Sequence, residues 1–153
     1  MKRCPSHAQS YQAWACLEVR TGNLKKAKGL VTRGIRSAPG HPALWTAAGL
    51  VEERLGDISK ARQIFIEGLE RFPKHGALHK SLGELEARQG VYIKARECFA
   101  NGLLHDPHYA PVYHAAALLE AKLGNIAGLS DLHKQAVSRF EIHTMNSGNK
   151  VAY

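Results

Sequence analysis

The chain has 153 residues, 44% hydrophobic and 22% charged, proportions that suit one globular domain with a continuous core and exclude a disordered tract. Lys and Arg number 21 against 13 Asp and Glu, a net charge of +8 that suits a polyanionic partner such as RNA, although a surplus of this kind also serves solubility. Cys4, Cys16 and Cys98 are few, odd in number and outside C-x-x-C spacing, which excludes a disulfide framework and a structural zinc site and points to an intracellular, reducing compartment.

The chain opens with Met1-Lys2-Arg3 and then Cys4-Pro5-Ser6-His7 without an apolar stretch, so it does not read as a signal peptide. From there the apolar positions recur with helical spacing. Tyr11, Trp14, Ala15 and Glu18 fall at i, i+3, i+4 and i+7 and predict a helix over 8–21. Gly22 follows where a left-handed cap would end it. Leu24, Ala27, Val31 and Ile35 form a second stripe over 24–37, stopped by Pro39. His41-Pro42 opens a third helix over 42–55, with proline at a first-turn position. Ile58, Ala61, Phe65 and Leu69 mark a fourth over 58–71. The same reading gives helices over 76–89, 92–105, 109–123 and 126–140. The longest apolar run, near Ala115 to Leu119, stops at Glu120 and is too short to span a bilayer. Residues 142–153, with Asn146-Ser147-Gly148-Asn149, read as a polar tail in loop or disorder.

These elements repeat. Gly22, Gly56, Gly90 and Gly124 stand 34 residues apart, and Glu18, Glu52, Glu86 and Glu120 keep the same period. Three further glycine matches in register have odds on the order of 10⁻⁴ by chance. Other columns agree: Gly34, Gly68 and Gly102 (then Ala136); Ala27, Ala61 and Ala95 (then Leu129); Pro39, Pro73 and Pro107 (then Glu141); and a large ring at Tyr11, Trp45 and Tyr113, with His79 in the remaining place. A glycine inside a helix costs about 1 kcal/mol relative to alanine, so its recurrence in the second helices predicts close helix approach there. Helix pairs of this kind bury their faces only by stacking. The expected fold is therefore all-α, an α-solenoid over 8–140 with repeats at about 8–40, 41–74, 75–108 and 109–141.

The 34-residue skeleton of Trp, Gly, Ala and Pro resembles the tetratricopeptide repeat (TPR), which implies a right-handed superhelix. One column departs from it, since glutamate stands four times where that repeat usually places an aromatic residue. Leu-Glu-x-x-x-Gly followed by Ala61-Arg62-Gln63-Ile64-Phe65 or Ala95-Arg96-Glu97-Cys98-Phe99 resembles the HAT (half-a-tetratricopeptide) repeat. Repeats two and three fit best; the first has Lys28 for arginine, and the fourth has Leu129-Ser130 and lacks the proline. The HAT resemblance implies a scaffold in RNA processing or maturation that binds RNA, protein components of the machinery, or both. Trp14 to Asn23 is most similar to the plastid transcript-maturation type, so a plastid or a nucleus is the implied setting. The alternative is a TPR-like adaptor or assembly-complex subunit without RNA contact.

Two ladders of charge are the candidate functional residues. Glu18, Glu52, Glu86 and Glu120 extend the packed stripe of each first helix, where an ionised carboxylate needs a partner. Lys28, Arg62 and Arg96 on the paired helices are the expected partners, giving intra-repeat pairs Glu18–Lys28, Glu52–Arg62 and Glu86–Arg96. Arg20, Arg54, Arg88 and Lys122 lie two residues beyond each glutamate, about 200° round the helix, and form a row of cations that could meet RNA phosphates. The ordinary alternative is a set of solvated cations favoured by the helix C-terminus.

The remaining residue types point away from catalysis. His75 and His79, with His105, Asp106 and His108 near by, lack the H-E-x-x-H pattern, and His41, His75 and His143 share a register at the inter-repeat turn. No P-loop, dinucleotide fingerprint or nucleophile elbow occurs. No cofactor or metal is expected, and the ring column reads as core. The opening helix, with Trp14 and Cys16, and the closing one, with Leu129 and Leu132, carry no polar cap, which fits a longer array or ends that dock on other subunits.

Overall fold

The computed structural model describes the backbone of residues 6–148 and the side chains of residues 7–141. It contains eight helices, and no strand among the described residues: α1 (Ser6–Arg20), α2 (Leu24–Ser37), α3 (Pro42–Leu55), α4 (Ile58–Arg71), α5 (Gly76–Arg88), α6 (Tyr92–His105), α7 (Ala110–Lys122) and α8 (Ile126–Gly148). The expected 8–21, 76–89 and 109–123 move by one or two residues, within the fraying of helix ends. The fold is an all-α solenoid of helix-turn-helix units. Each odd helix pairs with the even helix that follows it, and each even helix also packs on the next odd one.

Local chemistry sets the boundaries. The four periodic glycines all lie at positive φ, between 69° and 90°, where a side chain would be strained and glycine is not. Gly56 caps α3 in this way, its N–H donating to the carbonyls of Glu52 and Glu53. Asp57 caps α4 by accepting from the backbone N–H of Lys60 at 3.0 Å, filling one of the orphan donors of the first turn. His41 and His75 occupy the N-cap positions of α3 and α5. The closing helix corrects the expected tail. It runs on to Gly148 because Glu141 holds the place of Pro39, Pro73 and Pro107, so nothing removes a donor or clashes with the preceding turn. Residues 149–153, the rest of that tail, lie outside the described residues, as does Cys4.

The core sits between repeats. Ala27, Leu30 and Val31 of α2 pack with Ala47, Ala48 and Val51 of α3. Ala61 and Phe65 of α4 pack with Leu78, Leu82 and Leu85 of α5. Ala95 and Phe99 of α6 pack with Val112, Ala115, Ala116 and Leu119 of α7. The small residues at Gly34, Gly68 and Gly102 allow this approach: a Cβ on Gly68 would stand 3.1 Å from Leu78 and 3.3 Å from the Trp45 Cβ. The ring column is core, as expected, at Trp45, His79 and Tyr113, each 7% exposed, whereas Tyr11 is partly buried against the α2–α3 cluster. Trp45 Nε1 donates to the Pro39 carbonyl at 3.3 Å, and His79 Nε2 bonds the Pro73 carbonyl at 2.8 Å. Trp45 and His79 thus each satisfy the turn that precedes their own helix.

The odd helices α1, α3, α5 and α7 also touch one another in succession, whereas the described parts of the even helices do not. Shorter spacing on one side of a stack bends it, so the odd helices line the inner side of the superhelix. Glycines separate by environment, and so do their expected effects. Gly56→Ala lowers the unfolding free energy by about 1 kcal/mol through its left-handed backbone. Gly83→Ala costs more, because a Cβ there would overlap the Phe99 ring. Gly29→Ala, inside α2 with open space around it, stabilises by about 0.5–1 kcal/mol. Urea unfolding followed by circular dichroism checks the ranking.

Candidate functional site

The glutamate ladder is buried, with Glu18, Glu52, Glu86 and Glu120 between 3% and 7% exposed. An ionised carboxylate held there requires compensation. Its partners differ from the expected ones. Lys28 Nζ stands 2.9 Å from Glu52, Arg62 grips Glu86 through Nε at 2.5 Å and a second nitrogen at 3.2 Å, and Arg96 grips Glu120 at 2.7 and 2.8 Å. Each bond therefore joins a second helix to the first helix of the following repeat, and the intra-repeat pairs Glu18–Lys28, Glu52–Arg62 and Glu86–Arg96 do not form. The reason is rotation about the helix. The alanine that precedes each cation (Ala27, Ala61, Ala95) is fully buried, and the next position lies 100° further round, turned towards the neighbouring unit. Bidentate Arg–carboxylate geometry adds directional specificity to this contact.

Glu18 has no preceding unit in the structure and is satisfied within its own repeat. Lys26 Nζ lies at 2.7 Å, Asn23 Nδ2 at 2.8 Å and Trp14 Nε1 at 2.9 Å. The Lys26 contact first, then the Asn23 and Trp14 donors, holds its carboxyl down from 4.5 to about 2. Glu120 is lowered too, by Arg96 first and, less strongly, by Asn125. The first group's role was legible as a need for a partner; which partner was not.

The four cations Arg20, Arg54, Arg88 and Lys122 are all exposed, but they are not equivalent. Arg88 is held by Glu53 of α3 through two bonds of 2.6 and 2.9 Å, so this member is neutralised by a residue that the register did not flag. Lys122 sits 5.8 Å from the centre of the Tyr92 ring. Beside these cations runs an apolar column missed at the sequence level. Cys16 is exposed, and Leu50 and Leu118 are 38% and 58% exposed. Ala13, Cys16, Leu17 and Arg20 of α1 face Ala47, Leu50 and Val51 of α3 across a trough of about 550 Å³. Glu84, Ala87 and Arg88 of α5 face Ala115, Leu118, Leu119 and Lys122 of α7 across one of about 220 Å³. The Glu53–Arg88 pair crosses between α3 and α5. The signal that could have found the column is the 34-residue spacing of Cys16, Leu50, Glu84 and Leu118.

Burial, with Glu86 and Glu97 contributing less, pushes the Cys98 thiol up to about 11, so it stays protonated at neutral pH. His79 and His105 stack at 5.7 Å, and burial lowers His75 below its ordinary value, which keeps that imidazole neutral. Among the described residues no three His, Cys, Asp or Glu side chains gather as a metal site.

Residues 42–85 match the tetratricopeptide repeat family model. No curated protein matches the chain in sequence. Solved structures do match in fold. PilF of Pseudomonas aeruginosa superposes with a TM-score of 0.74 at 14% identity, over 87% of this chain and 61% of that one. A tetratricopeptide repeat protein of Parabacteroides merdae gives 0.66 at 19% identity, over 89% and 54%, so the chain spans little more than half the length of these two proteins. YrrB, described as a TPR protein with an unusual peptide-binding site, gives 0.61 at 19% identity, over 97% and 77%. The likeness establishes the TPR-type solenoid fold.

Two outcomes follow from the carboxylate ladder. Arg62→Gln strands the buried Glu86 charge and costs about 3–5 kcal/mol. Glu86→Gln costs a similar amount, and the double variant costs less than their sum; urea unfolding of the three variants measures this. A carboxyl lowered in the folded state stabilises fully above its unfolded value near 4.5 and loses that contribution as pH falls towards about 2. The urea midpoint therefore drops through that window, and Glu18→Gln flattens part of the drop.

Proposed function

We propose that this protein is a non-catalytic scaffold that holds a segment of a partner protein along the inner, odd-helix side of the solenoid. The observation that carries this reading is the pairing of an exposed apolar column with cations at the same register. Cys16 lies one helical turn before Arg20, Leu50 before Arg54 and Leu118 before Lys122, and all three are exposed. The first, second and fourth repeats thus offer an apolar seat about one helical turn from a positive charge, whereas in the third Glu84 takes the seat and Glu53 holds the cation. A segment with alternating apolar and acidic side chains complements that pattern, the apolar groups supplying most of the affinity and the charges setting register and on-rate. The fold shared with YrrB, described as having a peptide-binding site, agrees with this choice.

RNA is the second reading, as the HAT resemblance implies, and with it a role in transcript processing in a plastid or nucleus. The net charge of +8 and the row Arg20, Arg54 and Lys122 favour it. Arg88, however, is engaged by Glu53, and Trp45 and Tyr113 are buried and cannot stack on bases. The inner face therefore offers three charges without an acidic partner, together with apolar seats, a pattern better suited to a protein segment.

Fluorescence anisotropy with two probes tests the choice: an 18-residue peptide alternating leucine and glutamate, and a single-stranded RNA of mixed sequence, each at low and moderate salt. The peptide is expected to bind in the micromolar range, with Arg54→Glu and Lys122→Glu each weakening it about tenfold. Tight RNA binding whose logarithmic salt slope approaches −2, lost in the same variants, would overturn the protein reading.

A further inference from the structure

We propose that the free face of α1 is a docking surface for a partner α-helix that carries an arginine or lysine in the register of Lys28, Arg62 and Arg96. The chain contains three worked instances of this interface. In each, an even helix covers five positions of the following odd helix. Four are apolar or small: Leu44, Ala47, Ala48 and Val51 in α3, Leu78, Ser81, Leu82 and Leu85 in α5, and Val112, Ala115, Ala116 and Leu119 in α7, all between 0% and 8% exposed. The fifth is the glutamate that receives the cation.

The matching positions in α1 are Ser10, Ala13, Trp14, Leu17 and Glu18. Trp14 is 49% and Leu17 57% exposed, where their counterparts in the three later repeats reach 8% at most. Glu18 keeps the buried carboxylate of the series without the cation from a neighbouring unit. Its local donors fill that place. In the second repeat, Lys60, the counterpart of Lys26, stands back 3.6 Å from Glu52 while Lys28 comes in to 2.9 Å. In the first repeat, Lys26 closes to 2.7 Å and the Trp14 indole swings onto the same oxygen. Lys26 is 57% exposed in its side chain, so its exchange for an incoming guanidinium requires little rearrangement. The arriving helix would cover the Trp14 ring and Leu17.

Complementarity defines the partner. Helices α2, α4 and α6 share a small residue, then the cation, an apolar residue three positions on and a glycine three beyond that, as in Ala61, Arg62, Phe65 and Gly68. A second copy of this chain does not supply the pattern. In α8 the corresponding places hold Leu129, Ser130, His133 and Ala136, with no cation, and His133 is exposed where Val31, Phe65 and Phe99 are buried. The two ends of the solenoid are therefore chemically unlike, one retaining the acceptor and the other lacking the donor.

The test titrates the full chain with a synthetic peptide of residues 57–74, held helical by a lactam between a lysine at 63 (Gln63→Lys) and Glu67, which point away from the docking stripe. That peptide has no Trp or Tyr, and Trp45 is buried, so tryptophan emission reports Trp14. Docking is expected to shift the emission to the blue, a change that Trp14→Phe removes. Glu18→Gln in the protein and Arg62→Gln in the peptide are each expected to weaken binding about fivefold, and together little more than either alone. Arg54→Glu leaves this binding unchanged, which separates it from the inner-face proposal. Absence of the shift, indifference to both substitutions, or head-to-tail self-association of the chain alone that Glu18→Gln dissolves would overturn the inference.

Discussion

A carboxylate buried near the end of each odd helix constrains the whole array. An ionised group there is costly unless a cation meets it, and for Glu52, Glu86 and Glu120 the nearest cation comes from the neighbouring unit while the alanine column stays packed. The bond between Arg62 and Glu86, repeated by Arg96 and Glu120, thus specifies register between repeats rather than within them. Apolar clusters between α2 and α3, α4 and α5, and α6 and α7 supply the nondirectional attraction. The ion pair supplies direction, since a slip of one residue would leave a charge in the core.

This arrangement separates the work of the two faces. The outward side of α3, α5 and α7 is consumed by the preceding unit, and the inner side of the odd helices is left to solvent. Cations two residues beyond each buried glutamate then fall on the inner side, because about 200° of rotation carries them away from the packed stripe. Leu50 and Leu118 share that side. Binding capacity is therefore a by-product of stacking: the same 34-residue period that aligns the ion pairs aligns the apolar seats and their charges. Modulation is local. Glu53, which has no counterpart at Ala87 or Ala121, holds Arg88 and breaks the row at its third member.

The ends of the solenoid show what the period alone does not enforce. In the first repeat, Glu18 collects a lysine, an amide and an indole from its own unit, a local solution available because Lys26 lies one helical turn into α2. In the last, replacement of proline by Glu141 lets α8 continue to Gly148, a length set by the absence of a stop rather than by the presence of a signal.

Sequence by itself determined the helices, their period and the positions that need special backbone or special partners. Gly56 had to be left-handed, Gly68 had to face another helix, and Glu86 had to meet a cation, because each follows from local sterics or from the cost of an unpaired charge. Which cation meets Glu86 is a different kind of question. Arg96, on the helix paired with α5, and Arg62, on the helix before it, are equally consistent with a repeating pattern. A period fixes equivalence between positions and is silent on whether a contact lies inside one unit or spans two. Tertiary structure decided that, through the 100° step from Ala61 to Arg62 that turns the guanidinium towards the next repeat, and in the same way it assigned Arg88 to Glu53 and left the apolar column of Cys16, Leu50 and Leu118 open.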